Sequence, residues 1–187
     1  MTIHSTHPFA DPEPDPVRRL RGRLGGAVSL WTAGDAGERS GLTVTSLMLA
    51  HGEPAHVLGL LDPDADLTEL LVETGRCVVQ LLSWPDRDLA EAFAGTAPAP
   101  GGPFRMAAFE QTPWGPRLAS ATAWAGATLV DRRDVGWSLE VTCRLDEVSV
   151  GDEDAPLLHR RGRYLRPGDQ GAGDQGPGDR AGLDDEE

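Results

Sequence analysis

The chain of 187 residues contains no lysine and no asparagine, so all 17 basic residues are arginine. Schiff-base chemistry on a lysine amine is therefore excluded, and a fully charged side-chain partner for a phosphate must be a guanidinium. Cations are also outnumbered, 17 against 30 acids, for a formal net charge of -13 and a sequence pI of about 4.7. Nucleic-acid binding and docking on anionic lipid both depend on excess positive charge, so both are disfavoured. No run approaches the roughly 20 apolar residues of a membrane helix. Residues 1–17 carry four prolines (Pro8, Pro12, Pro14, Pro16) and three acids, with no apolar segment of the kind an export signal needs. Cys77 and Cys143 are the two cysteines, far apart in strand-like runs, and read as reduced core residues. A soluble cytoplasmic protein is expected.

Several reaction signatures are missing too. There is no Gly-x-Ser-x-Gly elbow and no convincing Cys–His setting, which disfavours hydrolase chemistry. His51 with His56, and His4 with His7, lack the further ligands at metal-site spacing that zinc requires, and no metal is expected. Gly171-Ala172-Gly173-Asp174-Gln175-Gly176 matches a dinucleotide fingerprint as a string. Neither a strand before it nor a helix after it supplies the context that gives the string meaning.

What remains divides into three regions. Residues 1–15 read as a disordered Pro-rich leader and residues 168–187 as a disordered acidic Gly/Asp-rich tail. The folded domain is expected over residues 16–167. Pro16 to Leu24 suits a helix ended by Gly25-Gly26. Ala27 to Ala33, Leu42 to Ala50, His56 to Leu61 and Arg76 to Ser83 read as strands. Helices are expected over Leu67 to Val72, opened by Asp62-Pro63-Asp64, and over Asp86 to Ala94, with a Pro/Gly loop at 96–103. Arg117 to Val130 and Gly136 to Val150 predict a long antiparallel pair turning at Asp131 to Val135. In its second half Trp137, Leu139, Val141, Cys143 and Leu145 alternate with polar residues. Leu157 to Leu165 adds a last short strand. Many strands with two or three short helices point to a mainly β fold, an antiparallel barrel either closed or split, since closure removes exposed edges.

The order of these segments resembles the flavin reductase-like family of FMN-binding split β-barrels. The resemblance runs from about Val17 to Pro167. Gly26-Ala27-Val28-Ser29-Leu30-Trp31-Thr32-Ala33 is similar to that family's first strand, and Gly41-Leu42-Thr43-Val44-Thr45-Ser46-Leu47 to its flavin-contacting strand. Glu53-Pro54-Ala55-His56-Val57-Leu58 resembles the turn that follows. Gly75-Arg76-Cys77-Val78-Val79-Gln80-Leu81-Leu82 and Leu89-Ala90-Glu91-Ala92-Phe93-Ala94-Gly95 resemble a later strand and short helix. Pro156-Leu157 with Gly162-Arg163-Tyr164 resembles the closing segment.

The resemblance implies FMN, with FAD or riboflavin as alternatives, NAD(P)H as co-substrate, and a homodimer with flavin near its interface. It implies a flavin reductase, serving a separate monooxygenase. The rival is an interaction protein on the same barrel, with or without flavin, that lacks reductase activity; a deazaflavin user on a related barrel is a third reading. Cofactor-binding residues carried over are Gly41, Thr43, Val44, Thr45 and Ser46, then Asp62, Asp66 and Thr68 after the third strand, and Trp137. Hydroxyls on this strand can donate to or accept from the flavin's polar edge, although β-branched residues also suit any pleated sheet. Two departures stand out. Three carboxylates, Asp62, Asp64 and Asp66, occupy the stretch where the family commonly presents hydroxyl, amide or basic groups to the flavin phosphate, and they repel an anion. Helix N-terminal amides, Thr68, or an arginine such as Arg18, Arg19 or Arg76 are then the expected substitutes. Val135-Gly136-Trp137 stands in place of a common Gly-Asp-His, so Trp137 either stacks on a flavin or nicotinamide ring or belongs to the core, and Trp137 or Phe109 is expected to shape the nicotinamide side. Arg18, Arg19, Arg21 and Arg23 on the first helix form a solvated face or pair with the acidic tail.

Overall fold

The computed structural model describes residues 15–152 and 155–168. The expected leader, the tail with its fingerprint string, and the pairing of that tail with the first helix fall outside these residues, apart from Asp15 and Gly168.

Pro16 opens α1 (Pro16–Leu24), where its missing N–H costs nothing, and Asp15 caps the helix by accepting from the Val17 N–H at 2.9 Å. Gly25 ends it at φ +64°. There follow β1 (Gly26–Ala27), β2 (Ser29–Gly34), β3 (Arg39–Val44), β4 (Leu47–Ala50), β5 (His56–Leu61), α2 (Asp66–Thr74) and β6 (Arg76–Leu81). After a 3-10 turn at Trp84–Asp86 come α3 (Arg87–Phe93), β7 (Phe109–Thr112), β8 (Gly115–Leu118), β9 (Ala123–Val135), β10 (Ser138–Val150), β11 (Leu158–Arg160) and β12 (Arg163–Leu165).

Seven strands form one antiparallel sheet in the order β3-β2-β6-β9-β10-β5-β4. The two edge strands, β3 and β4, are consecutive in the chain and joined only by Thr45 and Ser46. The sheet therefore curls until its edges meet, and the chain steps across the seam at that dipeptide. This is a split antiparallel barrel, as expected.

Trp31 holds the curl together. From β2 it reaches the far side of the sheet, where a Cβ on Gly59 of β5 would lie 2.9 Å from its ring. Its Nε1 donates to the Ser29 Oγ at 3.1 Å, and that hydroxyl donates to the Val44 carbonyl at 2.7 Å. Val44, Val57, Leu61, Leu67, Leu71, Cys77, Val141 and Cys143 complete this core. Both cysteines are buried and free. The hydrogen bond with the Cys143 thiol, and after it burial, push the Cys77 thiol well above its ordinary value, so it stays protonated. A second core joins Val28, Leu30, Leu82, Leu89, Phe93, Leu118 and Leu157.

A buried polar network fastens β8 across the sheet. Gln80 is fully buried; its Oε1 accepts from the Leu118 N–H at 2.7 Å, and its Nε2 donates to the Thr32 hydroxyl at 3.4 Å. That hydroxyl donates in turn to the Pro116 carbonyl. Gln80→Leu strands the Leu118 N–H in an apolar setting and is expected to cost about 1–3 kcal/mol. Urea unfolding checks this as a lower midpoint at unchanged slope.

Five segments differ from expectation. Ala27 to Ala33 is two strands, β1 and β2, interrupted at Val28 and belonging to different sheets. Leu42 to Ala50 is two strands, because the seam interrupts it at Thr45-Ser46. Arg117 to Val130 is likewise broken at 119–122, and its start belongs to the unexpected β7–β8 hairpin. The long hairpin turns at Gly136-Trp137, not at Asp131 to Val135, with Gly136 at φ +61°. Leu157 to Leu165 is a hairpin, β11–β12, and not one strand.

Candidate functional site

The seam opens onto a cavity of about 620 Å³, within the usual range for small-molecule and cofactor sites. Thr45, Ser46, Leu47 and Met48 line one side, and Leu58, Gly59 and Leu60 of β5 form the floor. α1 closes another wall with Arg18, Arg19, Arg21, Gly22 and Leu24. Val135, Glu140, His159 and Gly162 complete it.

The position of α1 follows from its tether. The N–H of Arg161, in the β11–β12 turn, donates to the Gly22 carbonyl at 2.7 Å, and β1 pairs with β11. On the seam side, the Leu60 N–H donates to the Ser46 carbonyl at 2.9 Å, fixing the dipeptide against β5.

The cavity's charges are unequal. Among the described residues three arginines and one acid, Glu140, line the cavity, and that acid is bound in a fork by Arg133, at 3.1 and 2.9 Å. His159 is half-buried and packs edge-on against Tyr164, with ring centroids 5.5 Å apart. Burial, aided by the positive field of Arg21, lowers its pKa below the ordinary 6.5.

A lowered histidine pKa means that the unfolded chain binds more protons than the native one between the native value and 6.5. Stability from this site is thus complete above that window and falls as pH drops through it. Asp146 acts further down the scale. Its burial raises the carboxyl pKa, but hydrogen bonds from Thr128, Arg144 and Trp114 outweigh this and leave it lowered from 3.8. Its contribution is present above the unfolded value and is lost as pH falls through the native one. Thermal melts of His159→Gln from neutral to strongly acid pH are expected to lose the first decline and keep the second.

The structure separates the residues anticipated from sequence. Thr45 and Ser46 line the cavity. Gly41 abuts the second core, where a Cβ would sit 2.6 Å from the Phe93 ring, so its bareness serves packing. Thr43 donates to the Ala90 carbonyl at 2.8 Å, toward α3, and Val44 is buried in the main core. Asp62 accepts from the Asp64 N–H at 3.0 Å, and its carbonyl takes the Thr68 hydroxyl at 2.7 Å. Asp66 is the first residue of α2. These groups organise their own turn and helix start. Arg76 is directed at the Pro113 carbonyl, 3.4 Å away. Phe109 stacks edge-on with Phe104 and Phe93. Trp137 caps the long hairpin at 97% exposure, which excludes the core reading.

Arg21, Glu140 and His159 escaped the sequence reading as cavity residues. Their signal was present in part: the arginines recur on one short helix, and His159 lies just after the Pro156-Leu157 element of the closing segment. Among the described residues, no group of three or more His, Cys, Asp or Glu is disposed to hold a metal ion.

Residues 21–168 match the family model described as the flavin reductase like domain. The chain belongs to that family. It is 27% identical over 155 residues to an FMN reductase (NADH), RutF 2, of Methylorubrum extorquens, covering 80% of this chain and 86% of that one. The fold is that of the styrene monooxygenase flavin reductase of Pseudomonas putida S12, with a TM-score of 0.72, 23% identity, and 81% and 97% of the two chains covered. The NADH:FAD oxidoreductase SgcE6 of Streptomyces globisporus also gives a TM-score of 0.72, at 20% identity over 80% of this chain and 90% of that one.

Proposed function

We propose that the protein is an NAD(P)H-dependent flavin reductase that binds FMN in the seam cavity and supplies reduced flavin to a separate monooxygenase. The observation that carries this is the composition of the cavity in a member of this family. An apolar lining contributed by Leu47, Met48, Leu58 and Leu60 suits an aromatic ring system, and Thr45 and Ser46 of the same lining carry hydroxyls suited to the ring's polar edge. Three arginines supply positive charge for an anionic group.

Bound flavin supplies the hydride-accepting chemistry, and the protein orients it and keeps water from its face. Thr45 and Ser46 hold the edge, while Leu58 and Leu60 form the dry surface beneath. His159, neutral near pH 7, offers one donor or acceptor nitrogen without adding charge. RutF 2 and the styrene monooxygenase reductase carry names of this kind, consistent with the same role.

We further read the active form as a homodimer in the cytoplasm. Met48 is 69% exposed, Leu49 72% and Leu60 42%, and Val135 and Leu24 add further exposed apolar surface beside the cavity. Such a patch is covered by a second copy of the chain. Among the described residues no helix is long and apolar enough to cross a membrane. Met48→Asp combined with Leu60→Asp is expected to yield a monomer in sedimentation and to weaken FMN binding at least about 10-fold.

Anaerobic mixing of the protein with FMN and NADH or NADPH tests the activity. Bleaching of the flavin absorbance, at a rate proportional to enzyme, is the expected result. Flavin that binds and stays oxidised with both nucleotides refutes the reductase and leaves the interaction-protein reading.

A further inference from the structure

We propose that α1 is the phosphate-binding element of the cavity, with Arg18, Arg19 and Arg21 receiving the phosphate of a bound nucleotide. This rests on the flavin-cavity reading above and adds where the anionic end lies.

The argument begins with charge. In a chain of net charge -13, these three guanidiniums line one cavity, and among the described residues the acid that shares its lining, Glu140, is held by Arg133. The turn after β5 presents Asp62, Asp64 and Asp66 and none of its residues lines the cavity. Thr68, the hydroxyl nearest that turn, is buried and already spent on the Asp62 carbonyl. An anion is therefore repelled at the start of α2, outside the cavity, and attracted at α1, which lines it.

Geometry adds to this. α1 buries none of its own residues, so its arginines do not serve a core. Gly22, between Arg21 and Arg23, is fixed by the Arg161 N–H, which holds the helix over the cavity rather than letting it swing free. The positive field of Arg21 reaches His159 across the same space. Arg23, on the same helix, does not line the cavity and provides an internal control.

A phosphate here can come from the flavin nucleotide or from the nicotinamide nucleotide, and the test separates them. Arg18→Gln, Arg19→Gln, Arg21→Gln and Arg23→Gln are made in the full chain, with thermal melts confirming an intact fold. FMN and riboflavin are titrated by flavin fluorescence, and KM is measured for NADH and NADPH. Each cavity variant is expected to weaken FMN about 3- to 10-fold while riboflavin, which has no phosphate, binds as before. Arg23→Gln leaves both unchanged. A raised KM for NADH or NADPH, with the FMN-to-riboflavin ratio preserved, assigns the same arginines to the nicotinamide nucleotide. Unchanged ratios and unchanged KM values in all three cavity variants overturn the proposal while the flavin reading stands. Failure of the parent protein to bind either flavin overturns that reading instead.

Discussion

Trp31→Ala is expected to destabilise the protein by about 3–5 kcal/mol, the usual cost of deleting a buried aromatic side chain. Trp31 is fully buried and is the largest side chain in the core. The loss extends beyond its volume, because the indole spans the space between β2 and β5 and contacts the floor at Gly59. Its removal also frees the Ser29 hydroxyl of one partner, although the bond to Val44 remains. Gly59 lines the cavity as well, so the variant is expected to lose flavin affinity along with stability. Guanidinium unfolding measures the first effect and flavin titration the second. A loss below about 1 kcal/mol contradicts the role given to Trp31 in closing the curl.

The second large effect belongs to the seam. Ser46→Trp places an indole where a small hydroxyl lines the cavity, and FMN binding is expected to fall at least about 100-fold, equivalent to roughly 2.7 kcal/mol. Ser46→Ala removes one hydrogen-bonding group without filling space and is expected to cost only about 0.5–1.5 kcal/mol of binding. Ser46 is only partly buried, so neither change should lower the unfolding midpoint greatly. Isothermal titration with FMN distinguishes the two variants. Equal, small losses in both contradict the placement of flavin against the seam.

The strands of the barrel were legible because alternation and β-branched runs report local structure. β5 and α1 match the sequence reading in their bounds. The seam was not legible. Leu42 to Ala50 carries an unbroken β-like pattern, and only the three-dimensional fact that β3 and β4 lie at opposite edges explains the break at Thr45-Ser46. The hairpin of β7 and β8 was hidden because Pro116 weakens any strand reading, while the Pro113-Trp114 turn followed by Gly115 was its available signal. Near the hairpin tip, four charged residues, Asp131 to Asp134, resemble a loop yet pair with Leu139 to Thr142 as the end of β9.

The candidate site shows the same division. A strand reading treats Gly41 to Ser46 as one contact surface, yet Gly41 and Thr43 pack toward α3, Val44 toward the core, and Thr45 and Ser46 toward the cavity. Linear order places Arg18 to Arg21 and His159 at opposite ends of the chain. The pairing of β1 with β11 brings them to one wall, and that pairing has no local signature.

A crystal structure of the protein with FMN tests the central claim most directly. The account places the isoalloxazine ring between Thr45-Ser46 and Leu58 to Leu60, with its phosphate directed at α1. A flavin bound on any other surface, with the space beside the seam left to solvent, contradicts it.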